Sequence, residues 1–465
     1  MKSSNNFKKN TFLLTLGTFI NKGLQFIAIP FFSKWLSTED YGRFDLLVTY
    51  TALLIPIISL SCHEGIFRMS VNESDEAKLK GYITSGFIID VINYIVFVII
   101  LFALYGNRHF TMFIGFSLYL MGEVLLIYLR GVLRGLKKLD IYSFVLMFST
   151  VIMIVTVTLL VRLLNYGLEG IIFGYAVGSV IGSIIVAISV RWWRYISVSK
   201  INISLIKDML TYSVPLIPND LSWWVMNASD RQIINYYYGN AANGIYAIAH
   251  KIPAICSILF STISLSWQQE TSVSIEEGIK INLNGYLDSM IKMLSSFCAV
   301  LIAGSFILYF YIFDKKYYDA YLYSPILILS SAFLAISLFL GGILAGYKRT
   351  KSNGISTIIG AITNLITHFG LIPFIGLFAA SVSTLISNIV TCIIRVFSLR
   401  DVYRIKFNKY VLVHPLVLIY FFVISYFNEN LFFNCINLCI AMVYCYIVNR
   451  KFLESNLIKI MRRRK

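Results

Sequence analysis

Charge is scarce in this sequence. Only 14% of its 465 residues are Asp, Glu, Lys or Arg, whereas 58% are hydrophobic and the mean hydropathy is +0.74. A soluble fold of this length could not hide so much apolar surface, which excludes a soluble enzyme or carrier. Cysteine motifs are missing as well. Cys62, Cys256, Cys298, Cys392, Cys435, Cys439 and Cys445 include no CxxC and fall in or beside apolar runs. They read as packing residues, not as a disulfide framework or a metal set. There is no GxxxxGK[ST], and no connection is long enough for a nucleotide domain, so nothing in the chain points to ATP or another cofactor. The short alternating segments of a barrel are absent too.

What remains is a series of apolar segments. They lie near 11–32, 44–62, 83–105, 111–129, 142–162, 169–190, 212–236, 244–266, 288–312, 324–345, 355–373, 377–397, 410–427 and 432–448. This is an all-α polytopic membrane protein of about fourteen transmembrane helices. No small-residue cleavage pattern follows the first segment, which reads as a retained helix. Lys and Arg are distributed unevenly around the spans. The termini and the connections on their side of the membrane hold 29, against 5 on the other side. That asymmetry predicts cytoplasmic termini and explains the net charge of +17 without a nucleic-acid partner.

The chain also repeats itself. "YLRGVLRGLKKLD" from Tyr128 matches "FLGGILAGYKRTK" from Phe339, pairing Gly131 with Gly342 and Gly135 with Gly346 at a spacing of 211. Gly42 pairs with Gly244 at 202, Gly81 with Gly285 at 204, and Gly167 with Gly376 at 209. Six helices separate equivalent points, so the two halves share one orientation, related by a pseudo-twofold axis along the membrane normal. The expected organisation is an N-terminal lobe at 1–198 and an amphipathic cytoplasmic linker at 199–211. A C-terminal lobe at 212–398 follows, then two further helices and a basic tail at 399–465. Substrate sites in such transporters lie between the halves.

Polar residues inside spans are costly and therefore informative. In the first span Thr11, Thr15, Thr18, Lys22 and Gln25 share one helical face; in the seventh, Asp220, Trp224, Asn227 and Arg231 do. The eighth carries Tyr246, His250, Ser257, Ser261, Ser264 and Gln268, with Lys251 beside them. The second offers Asp45, Thr49, Ser59 and His63, then Glu64 and Arg68 at its inner end. These four helices are the expected cavity walls. No acidic residue stands within a turn of Lys22, which is therefore a substrate contact or one half of an ion pair with another helix. Asp230 and Arg231 read as the cap of the seventh span, with Asp230 also in reach of Lys251. Glu123 and Arg130, seven residues apart on one face, read as a structural pair. Asp90 and Asn93 in the third span read as a helix–helix hydrogen bond or as a route for proton movement, and Asp90, Glu123, His250 and His368 are the candidates for coupling or gating.

With these residues in view, the chain resembles the polysaccharide-flippase (Wzx-type) branch of the multidrug/oligosaccharidyl-lipid/polysaccharide exporter superfamily. The resemblance rests on "PLIPNDLSWWVMNASDRQIINYYYGNAANGIYAIAHKI" from Pro215, "FFSKWLSTEDYGRFDLL" from Phe31, the repeated "GxLxGxKK" element and "GLFAASVST" from Gly376. It implies a two-lobed bundle in the bacterial inner membrane working by alternating access, and no enzymatic activity. The implied cargo is an undecaprenyl-diphosphate-linked oligosaccharide for O-antigen, lipopolysaccharide, capsule or a related glycan. A polysaccharide polymerase and chain-length machinery are the implied protein partners. The diphosphate would meet a cationic cavity. Lys22, Lys251, Arg231 and Arg68 suit that role, with Thr18, Gln25, Asp220, Asn227, His250 and Ser257 as polar lining. Two rival readings are a multidrug exporter of the same fold and a polysaccharide polymerase or ligase. The first would want acidic residues where the first span has lysine; the second would want a longer outer loop than any present here.

Overall fold

The structure is a computed structural model that describes residues 20–71, 73–105, 110–276, 282–403, 413–428 and 430–463. Thr11, Thr15 and Thr18 of the expected first polar face lie outside the described residues, as does the side chain of Ser261. Every long element is helical: α1 (20–35), α2 (Thr38–Ile58), α3 (Cys62–Ser70), α4 (Glu76–Tyr105), α5 (Phe110–Gly135), α6 (Leu139–Val157), α7 (Gly167–Val190) and α8 (Ile203–Ser213). Then come α9 (Ile217–Ala249), α10 (Lys251–Glu276), α11 (Leu283–Ile312), α12 (Ala320–Gly346), α13 (Thr350–Ile375), α14 (Phe378–Leu399), α15 (Val413–Phe427) and α16 (Leu431–Arg463). Among the described residues, ten helices are long and apolar enough to cross a membrane, and the bent pair Ile203–Ala249 with Lys251–Phe260 meets the same measure jointly. The other expected spans differ for visible reasons. Only the later part of the first is described, the seventh and eighth are diluted by polar residues, and α15 has 15 residues.

The chain forms two compact units, Met1–Trp224 and Val225–Lys465. The boundary falls inside the seventh span. Glycines explain why the linker belongs to the first unit. A Cβ on Gly65 would sit 2.6 Å from Met209 of α8, and one on Gly81 would sit 2.5 Å from Leu205. Their absence lets α8 seat against α3 and α4, with Met209 and Ser213 fully buried. Close packing of the same kind joins α7 to α6. Gly174, Gly178 and Gly182 form one stripe, and Cβ atoms there would meet Val157, Met153 and Ser149 within 2.6 Å.

In each unit the repeat has the same local geometry. Gly131 of α5 touches the backbone of His63, and Gly342 of α12 packs on Trp267 and Gln268, 204 to 205 residues later in the chain. Both helices end alike. Lys138 N donates to Leu133 O (2.9 Å) and Arg349 N to Leu344 O (2.8 Å). Lys137 and Lys348 between them both turn left-handed at φ 59°.

Two breaks shape the middle of the chain. Gly239 (φ 78°, ψ 179°) separates the seventh from the eighth span within α9, at a conformation open to glycine. The second break separates Ala249 from Lys251. Pro253 has no N–H to give Ala249 O, and its ring crowds that carbonyl. The buried hydroxyl of Tyr309 instead donates to Ala249 O (2.9 Å), with Ile248 O also near it (3.2 Å), so the freed carbonyl is satisfied and a 44° bend persists.

Candidate functional site

That bend builds a site in the second unit. His250 and Lys251 stand at the break, and with Asn227 and Arg231 of α9 and Ser257 of α10 they line a cavity of about 190 Å³. Five of the predicted site residues therefore come together. α12 and α14 complete the wall with Ser330, Ser331, Thr384 and Asn388. These are held in place: Asn388 Nδ2 donates to Ser330 Oγ (2.9 Å), and Arg231 Nη1 donates to Asn227 O (3.0 Å). Among the described residues the lining contains a guanidinium, an ammonium, hydroxyls, amides and an imidazole, and no carboxylate. Such a set attracts an anion and offers hydroxyl and amide donors to its oxygens.

Asp230 does not serve as the predicted cap, nor does it pair with Lys251. It is fully buried behind the cavity, where its Oδ2 accepts from Tyr246 Oη (2.9 Å) and Thr384 Oγ1 (3.0 Å). Asn364 approaches Thr384 Oγ1 at 3.4 Å and Ser229 at 3.4 Å, and His368 is buried one turn further along α13. A shared hydroxyl, Thr384, links this cluster to the cavity. Arg395 is buried, with no carboxylate partner in hydrogen-bond reach among the described residues. It donates to Ser356 Oγ (3.0 Å), Thr357 Oγ1 (3.1 Å) and the carbonyl of Ser337, so its charge ties three helices together.

The sequence reading missed the α12 and α14 contributions to the cavity wall. On α14 the signal is present: Ser381, Thr384, Asn388, Thr391 and Arg395 follow steps of three and four, and all are buried. The walls were sought only on the first, second, seventh and eighth spans.

In the first unit, Lys22 is exposed and Gln25 half-buried on α1, beside Asn21, which hydrogen-bonds Thr150 of α6. Glu123 of α5 lies within electrostatic reach of Lys22, with no salt bridge at 4.0 Å or less between them. Tyr119 precedes Glu123 by one turn and packs edge-on with Tyr175, which also packs edge-on with Phe44. The expected Glu123–Arg130 pair does not form. Arg130 approaches Glu64 instead (3.9 Å), and Glu64 also binds Arg134 and lies 3.6 Å from His63. The close α3–α5 approach at Gly131 brings those arginines to Glu64. Arg68 is exposed at the far end of α3.

Asp220 accepts from Ser61 Oγ (3.2 Å), and Trp224 Nε1 donates to Thr49 O (2.9 Å). The start of the seventh span is thus polar because it binds the second span. Asp90 is buried on α4, apart from these bonds. Among the described residues no group of three or more His, Cys, Asp or Glu is placed to hold a metal.

Comparison with known proteins agrees with this architecture. The chain is 20% identical over 413 residues to the uncharacterized membrane protein MJ1375 of Methanocaldococcus jannaschii, covering 84% of this chain and 97% of that one. Its structure is similar to that of the lipid II flippase MurJ in an inward closed conformation, with a TM-score of 0.71 and 17% identity over 96% of this chain and 100% of that one. It is also similar to the MATE transporter VcmN of Vibrio cholerae, with a TM-score of 0.63 and 12% identity over 85% and 97%. Residues 7–267 match the family model described as polysaccharide biosynthesis protein, so this multi-pass membrane chain belongs to that family.

Proposed function

We propose that this protein is a flippase for lipid-linked oligosaccharides. It moves undecaprenyl-diphosphate-linked repeat units from the cytoplasmic to the outer leaflet of the inner membrane, for O-antigen, capsule or a related surface glycan. The observation that carries this reading is the cavity of the second unit, where Arg231 and Lys251 stand among hydroxyls and amides with no carboxylate in the lining among the described residues. A carrier of cationic drugs would want the opposite polarity. At about 190 Å³ the cavity is smaller than the roughly 300–1,000 Å³ of drug-sized sites, so it suits a phosphoryl headgroup and not a whole glycan. Lys22 in the first unit is a further cationic contact. The site is exposed alternately to the two membrane faces while the polyprenyl tail stays in lipid.

Complementation of a strain lacking its own repeat-unit flippase tests this. Lys251→Glu and Arg231→Glu place an acid in the cavity. Each should cut surface glycan at least tenfold at unchanged membrane abundance, as expected when a like charge replaces an attractive one. Lys22→Glu should also lower export, whereas Lys315→Glu, outside the cavity lining, should not. Normal export by the Lys251→Glu and Arg231→Glu variants would overturn the assignment.

A further inference from the structure

Asp90 is used by none of the interactions above. It lies near the middle of α4, is 1% exposed, and neither carboxyl oxygen has a hydrogen-bond partner among the described residues. Its surroundings are the discontinuity in the second span. α2 ends at Ile58, Leu60 and Ser61 turn left-handed (φ 46° and 50°), and α3 starts at Cys62. Non-glycine residues in that region store strain and persist only where their surroundings hold them. One turn along α4, Asn93 Nδ2 donates to Ile58 O at 2.9 Å, which fastens α4 to the break. The titratable groups within electrostatic reach of Asp90 are the Cys62 thiol of α3 and the Tyr128 hydroxyl of α5. Tyr128 is already engaged by Ile83 O and Trp192 Nε1, and Ser213 at the end of α8 is fully buried. Among the described residues no cation contributes to its electrostatics.

We infer that Asp90 is a proton-exchange site of the first unit, protonated while enclosed and releasing its proton when the packing of α3 and α8 around it opens. A bare carboxylate without donors or counter-ion is far more costly to bury than a neutral acid. Proton occupancy therefore biases the unit toward the enclosed arrangement, as any ligand that prefers one state shifts its population. A proton is favoured over a metal ion because a single carboxylate, with a thiol and hydroxyls, is a poor metal shell. The role in transport rests on the flippase reading; the proton binding does not.

The test uses the full chain in nanodiscs and, in parallel, in vesicles with a fluorescent polyprenyl-diphosphate lipid. Infrared difference spectra between about pH 5 and pH 9 should contain a protonated-carboxyl band that disappears in Asp90→Asn and shifts in Asp90→Glu. In vesicles, a gradient of one pH unit should alter the wild-type lipid distribution by up to about tenfold per proton moved, and that response should vanish in Asp90→Asn. A spectrum without an Asp90 band overturns the inference and leaves the flippase reading intact. Replacement of sodium by choline that moves the band would assign the site to a metal cation and also overturn it. An unchanged gradient response in Asp90→Asn removes the transport role. Vesicles in which even the wild type moves no lipid refute the flippase reading while the infrared band still decides the proton site.

Discussion

At the scale of single residues, the second unit depends on where Asp230 finds its hydrogen bonds. Two buried hydroxyls, Tyr246 and Thr384, aim at one carboxyl oxygen. Asp230→Ala would leave Tyr246 Oη without its acceptor, at about 1–3 kcal/mol for a buried group left unsatisfied, while Thr384 Oγ1 keeps Ala380 O at 2.9 Å. Tyr246→Phe deletes one donor and leaves the carboxylate its second partner, nearer the 0.5–1.5 kcal/mol of an ordinary bond. Thermal unfolding followed by tryptophan fluorescence should therefore rank Asp230→Ala well below Tyr246→Phe, and the reverse order would show that Asp230 is not held as described. The sequence made this residue visible as a charge in a span but misassigned its role. Its partners come from helices 16 and 154 residues away, and chain spacing carries no information about such contacts. Lys251, Arg231, Asn227, His250 and Ser257 were legible because they share two helices joined by a break, where helical periodicity still applies. Glu123 and Arg130 illustrate the opposite case. They share a face of α5, yet Arg130 turns to Glu64 of α3 and Glu123 lies within electrostatic reach of Lys22 of α1.

At the scale of elements, glycine decides which helices touch. The pairs Gly131 with Gly342 and Gly135 with Gly346 were readable as a repeat, but the sequence could not say what lay against them. The structure distinguishes them by distance. A Cβ on Gly131 would fall 2.4 Å from His63 O, a backbone atom of α3, whereas one on Gly342 would meet Trp267 Cδ1 at 3.0 Å. Gly354 on α13 has nothing within 4 Å. Gly131→Ala must push α3 away from α5 and should cost about 1–3 kcal/mol or more. Gly342→Ala should cost less, since the contact is with a side chain. Gly354→Ala should be neutral or gain up to about 1 kcal/mol from helix propensity. Melting temperatures of the three purified variants check the order, and a Gly131→Ala protein as stable as wild type would contradict the packing. The interruption at His250 has the same kind of explanation. The proline was visible in the sequence; the hydroxyl of Tyr309 that makes the bend tolerable was not.

At the scale of the whole molecule, the governing quantity is the unequal sharing of cations between the two sides of the membrane. Twenty-nine Lys and Arg on the side of the termini against 5 on the other predict cytoplasmic termini, since anionic lipid and the insertion machinery retain positive loops inside. Orientation then sets the sign of the energetics. An anion leaving a cell that is negative inside gains roughly 2.3 kcal/mol per charge per 100 mV. For a diphosphate of about two charges that is some 4–5 kcal/mol, about a thousandfold in the equilibrium distribution, if no compensating charge travels with it. The cavity of Arg231 and Lys251 does not change that total, because fixed protein charges that stay in the membrane carry no net charge across. Proton release at Asp90 would add to or subtract from it by whole charges. Vesicles with the protein inserted in one orientation and a potassium-diffusion potential provide the measurement. An inside-negative potential should drive the polyprenyl-diphosphate lipid outward, and reversing the potential should hold it in. The slope of the distribution against voltage counts the charges moved per cargo. A slope of zero would mean that the cargo crosses fully neutralised, which would exclude the membrane potential as the driving force for export.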